Sequence, residues 1–155
     1  MVSLGVRYSV KFPVEIHWGQ GGYLPGLFGV YSSAVSTSAA ANSLFEGKMR
    51  WDAKGRLGVN LKQNFEHDAL EWQVDTQEKI QLSRDVWYDV CLVVHIDGAF
   101  QVLVNDVSVF GGSSHVGFER IDGVRFCAYC VDNLGRDDSV ILIKDLEIRA
   151  EIDLE

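Results

Sequence analysis

Glu46, Lys48 and Arg50 stand at every second position of LFEGKMRW, and Asn60 and Lys62 do the same in RLGVNLK. Spacing of two puts side chains on one side of a β-strand. If the two segments form a hairpin, all five residues share one sheet face. Lys, Arg and Asn donate hydrogen bonds to hydroxyl and carboxylate oxygens, while Glu accepts them. Two readings fit such a set. One is the ordinary solvated outer face of a sheet. The other is a concave hydrogen-bonding surface for a polyhydroxylated ligand such as a sugar, with an aromatic ring against the apolar side of the pyranose. Tyr23, Tyr31, Trp18 and Trp72 fall in or near expected loops and are the candidate rings. Trp51 and Trp87 stand at strand positions that read as buried.

Reactive constellations are harder to find. The histidines (His17, His67, His95 and His115) are scattered, and neither G-x-S-x-G nor H-E-x-x-H occurs. Gly19-Gln20-Gly21-Gly22 leads into Tyr-Leu-Pro, not into a phosphate-binding helix. Asp137-Asp138 and the terminal EIDLE lack the spacing of a calcium loop. Cys127 and Cys130 form C-x-x-C within VRFCAYCVDN, which reads as a strand. Three residues apart on a strand, they point to opposite faces. No second ligand pair stands at zinc spacing, and a redox pair belongs at the start of a helix. With Cys91 the count is odd, so reduced strand cysteines are expected. No catalytic residue, metal ligand or cofactor site is assigned on these grounds.

The elements that would position the polar face alternate throughout. Val6, Tyr8, Val10 and Phe12 share one side of VRYSVKF; Phe45, Gly47, Met49 and Trp51 share one side of the next run; Leu57, Val59 and Leu61 share one side of the third. VWYDVCLVVHI is apolar on both sides, which predicts a strand covered on both. Turn signals lie at 52–55, Asp97-Gly98, Asn105-Asp106, Asp122-Gly123 and 133–138. The Ser/Ala-rich run 33–43 has no apolar stripe and reads as a flexible loop. The expectation is an all-β chain, one β-sandwich domain over 1–155 built from two antiparallel sheets.

The net charge of −8 and isoelectric point near 4.9 disfavour nucleic acid or an anionic membrane as the main partner. No run approaches the roughly 20 apolar residues of a membrane span. MVSLGVRYSVKF lacks the pattern of a signal peptide, so a cytoplasmic or non-classically secreted location is expected. An exposed edge strand could support a homodimer and lend avidity.

YSVKF, GGYLPGLFG, FEGKMRWDAKG, VWYDVCLVVHIDGAFQVLVND, IDGVRFCAYCVD and IKDLEIRA follow one another in order from Tyr8 to Arg149. Together they resemble the alginate lyase-like polysaccharide lyases of family 14, and GG-x-LPGL-x-G is the most specific piece. The resemblance implies a concanavalin A-like β-jelly roll whose concave sheet face binds sugar, with the LPGL run as a loop bordering the groove. It also exposes departures. Where the family pattern reads K-G-G-K-LPGL, this chain has Gln20 and Tyr23. Where it reads F-S-x-R-x-M-W, this chain has Glu46 for Ser and Lys48 for Arg, with Arg50 and Trp51 beyond. The family's Y-x-Y pair falls at Asn60 and Lys62. β-Elimination of a uronate needs a carboxylate neutraliser, a base for the C5 proton and an acid for the leaving oxygen. Lys48, Arg50 and Lys62 suit the first role, and no matched position supplies a tyrosine base. The expected function is therefore a non-catalytic carbohydrate-binding protein, a lectin, using Gln20, Tyr23, Glu46, Lys48, Arg50, Asn60, Lys62 and Trp72. The alternative is a polysaccharide lyase with rearranged catalytic groups.

Overall fold

The computed structural model describes residues 3–31, 44–64, 69–72, 80–113, 118–126, 129–130 and 140–151. The Ser/Ala-rich run, Cys127 and the 133–138 turn lie outside them. The strands are β1 (Ser3–Lys11), β2 (Gly22–Tyr31), β3 (Leu44–Trp51), β4 (Arg56–Asn64), β5 (Ala69–Trp72) and β6 (Ile80–Gln81), followed by β7 (Trp87–His95), β8 (Ala99–Val104), β9 (Val107–Ser113), β10 (Phe118–Arg125), β11 (Tyr129–Cys130) and β12 (Leu142–Glu151). They form two antiparallel sheets. One is five-stranded in the order β12-β1-β7-β8-β9. The other is seven-stranded, β10-β2-β3-β4-β5, with β11 also on β2 and β6 also on β4. No helix occurs among the described residues.

The alternating apolar faces meet between the sheets. Val6, Tyr8, Val10, Val90, Leu92, Val94 and Phe100 come from one sheet; Leu24, Leu27, Phe45, Met49, Trp51, Leu57 and Val59 come from the other. The Tyr8 hydroxyl donates to the Pro25 carbonyl at 2.9 Å, a buried polar link from sheet to sheet.

Three expectations need correction. β7 is covered on one side only: Val90, Leu92 and Val94 are buried, while Cys91 and Val93 on the other side are half-buried and Trp87 is 38% exposed. The outer side carries Arg7 from β1, which pairs with Asp89 and, at 2.9 Å, with Asp106. That charged neighbourhood replaces the second apolar layer. Burial pushes the Cys91 thiol up, so it stays protonated and packs as a small apolar group. Second, Asp122-Gly123 is no turn; it lies within β10, where the register with β2 shifts between Ile121 and Gly123. Third, VRFCAYCVDN does not run on as one strand, because β10 ends at Arg125 and β11 begins at Tyr129.

The hairpin turns follow the sequence signals. Gly98 has φ 92°, and Asn105 and Asp106 have φ 50° and 63°, as tight hairpin turns require. The β3–β4 turn is organised by Asp52. Its Oδ1 accepts from the Lys54 and Arg56 amides at 2.9 and 3.0 Å, and its Oδ2 accepts from Arg56 Nε at 2.8 Å. Burial alone would push this carboxyl up, but the Arg56 and Lys54 hydrogen bonds and the Arg56 charge outweigh it and hold the pKa at about 2, against 3.8. A carboxyl depressed on folding stabilises the fold above its unfolded pKa, and that stability is lost as pH falls from about 4 towards 2. Asp52→Asn should therefore lower stability in urea unfolding by about 1–2 kcal/mol at about pH 7. The difference from the parent should shrink as pH falls through that window. An equal difference at both ends would contradict the linkage.

Candidate functional site

β3 is the spine of the polar face. Phe45, Gly47, Met49 and Trp51 are buried towards the core, and Glu46, Lys48 and Arg50 alternate onto the outer side, half-buried. Register with β4 sets Lys62 opposite Glu46, Asn60 opposite Lys48 and Gly58 opposite Arg50. Register with β2 sets Phe28 opposite Glu46, Gly26 opposite Lys48 and Tyr23 opposite Arg50. Four of the expected residues, Tyr23, Glu46, Lys48 and Arg50, are thus brought to one face, and Asn60 and Lys62 hold the β4 register positions opposite Lys48 and Glu46.

The run GGYLPGLFG, expected as a loop beside the groove, is part of β2 itself. Its register with β3 shifts between Tyr23 and Gly26. This bulge inserts one residue and reverses the alternation. Leu24 and Leu27 can both be buried, and Tyr23 and Phe28 can both lie on the polar side. The proline is tolerated because it falls in the bulge.

The charges on this face are connected. Glu46 Oε1 lies 2.5 Å from Lys48 Nζ and 3.2 Å from Arg125 Nη1. Lys48 Nζ also stands 5.4 Å from the centre of the Tyr23 ring, and the Arg125 guanidinium is 5.8 Å from that of Phe28. The Lys48 and Glu46 side chains are only 14% and 15% exposed, whereas Arg125 is 55% exposed. Arg50 makes no ion pair among the described residues; its Cγ is the nearest atom, at 4.0 Å, to a Cβ placed on Gly58.

Two expected residues stand apart. Gln20 is exposed in the β1–β2 connection, outside the paired strands. Trp72 is in β5 opposite Leu61, one position out of step with Glu71, which is opposite Lys62. The other candidate rings are placed elsewhere. Trp18 packs edge-on against Phe12 at 5.1 Å with the Arg84 guanidinium 5.1 Å from its ring, which fixes it at the end of the sandwich. Trp51 is buried. Trp87 lies on the other sheet, with Lys144 Nζ 4.2 Å and Lys11 Nζ 5.4 Å from its ring. Tyr31 pairs with Phe118 at the end of β2.

Sequence reasoning missed Arg125, Phe28 and two residues placed by register, Glu71 and Tyr129, the latter opposite Tyr23. Phe28 was hidden by the bulge: it stands five residues after Tyr23, so strict alternation would put the two on opposite sides, and only the inserted residue brings them to the same one. Arg125 reaches the face, and Tyr129 its position opposite Tyr23, through pairing of β10 and β11 with β2, across about a hundred residues of chain that no local pattern spans. Among the described residues no group of three His, Cys, Asp or Glu could hold a metal ion.

No family model matches the sequence, and no curated protein does. Solved structures do share the fold. An alginate lyase from a Chlorella virus superposes with a TM-score of 0.68 at 14% identity, over 96% of this chain and 71% of that one. A carbohydrate-binding module from Bacillus subtilis gives 0.56 at 13%, over 97% and 76%. The receptor-binding domain of a botulinum neurotoxin C/D mosaic gives 0.51 at 12%, over 95% of this chain and 32% of that one. Likeness at these identities is likeness of fold, and one fold carries many functions. The chain is thus a two-sheet β-jelly roll of the architecture found in alginate lyases and in a carbohydrate-binding module.

Proposed function

We propose that this protein is a non-catalytic carbohydrate-binding protein whose glycan lies across β2, β3 and β4 on the outer face of the seven-stranded sheet. The observation that carries the reading is the clustering of Tyr23 with Glu46, Lys48 and Arg125 on one face, where the acidic and basic groups hold one another in place. A preorganised set of donors and acceptors beside an aromatic ring suits a ligand made of hydroxyls and C–H faces. Lys48, Arg50 and Arg125 offer donors, Glu46 offers an acceptor, and Tyr23 offers ring and hydroxyl. Binding is favoured over elimination because Lys48 and Arg125 are engaged with Glu46, which weakens them as neutralisers of a substrate carboxylate.

A glycan array followed by calorimetry on the best ligand tests the reading. Tyr23→Ala should weaken that ligand about tenfold, the effect of losing one ring contact. Unchanged affinity in a folded Tyr23→Ala would place the ligand elsewhere. Failure of the parent protein to bind any glycan would end the proposal.

One observation favours the lyase alternative: register puts Tyr129 at the β11 position opposite Tyr23, which sets two tyrosine positions side by side on neighbouring strands. A tyrosine pair could exchange a proton at C5 and at the leaving oxygen. Incubation with alginate and glucuronan, followed by the ultraviolet absorbance of the unsaturated product, separates the readings. Absence of product across the pH range removes the alternative.

A further inference from the structure

We infer that Glu46 determines the class of glycan that this face accepts: it excludes polyuronates and selects chains whose ring over Lys48 carries no charge. The inference rests on the glycan-binding reading above and adds the ligand class to it. Lys48 on β3 and Arg125 on β10 are cations from strands distant in sequence, and a ligand carboxylate would seek both. Glu46 already meets them with a single oxygen, Oε1, at 2.5 and 3.2 Å. Lys48 and Glu46 are largely sheltered from solvent, so salt and water screen their attraction less than at an open surface.

An incoming carboxylate at this point has two options. It can displace Glu46, which strands a sheltered anion without its partners. It can lie beside Glu46, which places like charges together. A sugar hydroxyl meets neither difficulty. It can accept one of the three ammonium hydrogens of Lys48 and donate to a Glu46 carboxylate oxygen while the ion pairs stay intact.

The remaining charges on the face do not undo this. Lys62 stands opposite both Glu46 and Glu71 in the register. Arg50 is two positions along β3 from Lys48, roughly 7 Å away at the rise of a strand. It could meet one isolated carboxylate, or a pair of adjacent hydroxyls with its fork of donors. A polyuronate has a carboxylate on every ring, so whichever ring sits over Lys48 brings a negative charge to the Glu46 pair.

The test compares neutral and uronate oligosaccharides on one array, with calorimetry on the best of each, for the parent protein, Glu46→Gln and Glu46→Ser. The parent should bind neutral glycans and bind oligouronates at least about tenfold more weakly. Both variants should gain about tenfold or more for oligouronates, with the gain shrinking as salt is added. The gain should shrink in the double variant Glu46→Gln/Lys48→Gln, which keeps only Arg125 of the two cations. With neutral binding by the parent, an oligouronate bound only by the Glu46 variants also supports the inference. Neutral binding by the parent with no uronate gain in folded variants overturns it and leaves the glycan-binding reading intact. So does a parent that binds oligouronates as tightly as neutral glycans. If the parent binds no glycan, the underlying reading falls and the inference falls with it.

Discussion

Gly26→Ala should lower the melting temperature by roughly 6–12 °C, while the same change at Gly58 should leave it within about 2 °C. Both glycines are strand residues on the polar sheet, so helix or turn propensity does not separate them. Space does. A Cβ on Gly26 would sit 1.9 Å from the Gly47 carbonyl oxygen and 2.8 Å from the Lys48 Cα, both backbone atoms of β3. Backbone cannot swing aside as a flexible side chain can, so β2 and β3 must separate. Overpacking of this kind costs about 3 kcal/mol, and each kcal/mol moves the midpoint by about 2–4 °C in a chain of this size. At Gly58 the nearest atom is the Arg50 Cγ at 4.0 Å, an ordinary contact. There the methyl group fits, and the loss of backbone freedom in the unfolded chain offsets small costs. The difference also reaches function, because Gly26 is the β2 partner of Lys48. Glycan affinity should fall in Gly26→Ala even at temperatures where the protein remains folded. Equal melting temperatures for the two variants would show that β2 and β3 do not approach as closely as described.

Trp51→Ala should cost about 3–5 kcal/mol, and Trp51→Phe should recover more than half of that. Trp51 ends β3 with 1% of its surface exposed and is among the largest fully buried side chains. Phe12 meets its ring edge-on at 5.2 Å, and its Nε1 donates to the Trp18 carbonyl at 3.3 Å. Alanine leaves a cavity the size of an indole that a β-sandwich cannot close, since the sheets are held apart by the rest of the core. Phenylalanine keeps the ring contact and loses one hydrogen bond to the Trp18 carbonyl, which still accepts from the Gly21 amide at 2.9 Å, so that loss is worth about 1 kcal/mol. Chemical denaturation of the three proteins checks the order. Arg50 is the neighbouring residue on the opposite side of β3, so loosening Trp51 should weaken glycan binding as well. A Trp51→Phe variant as unstable as Trp51→Ala would mean that the hydrogen bond, not the packing, holds this corner.

Much of the sandwich was legible because alternation is a local property. Val6, Tyr8 and Val10, or Phe45, Met49 and Trp51, declare their shared face by spacing alone, and each is buried. The β3–β4 hairpin was equally legible, since a short turn fixes the register and the register aligns Glu46 with Lys62 and Lys48 with Asn60. Legibility failed where a strand departs from period two or where a partner comes from far away. The bulge between Tyr23 and Gly26 made β2 look like a loop and concealed Phe28. Trp87 looked buried because its neighbours are apolar, although burial depends on what covers the outer sheet face, and Arg7 and Asp89 cover it with charge.

The sequence by itself determined the all-β class, the two apolar faces that form the core, and the placement of Glu46, Lys48 and Arg50 on one side of a hairpin, with Asn60 and Lys62 at the register positions opposite Lys48 and Glu46. These follow from chain stereochemistry and short turns, which act within a few residues. Tertiary structure alone decided that Arg125 stands 3.2 Å from Glu46, that Tyr129 pairs opposite Tyr23, and that Trp18 and Trp87 lie away from the polar face. Those facts depend on which strand lies beside β2 and on the bulge that sets its register. Both are chosen by the packing of the whole sandwich, because only there do the apolar faces of both sheets close over one another.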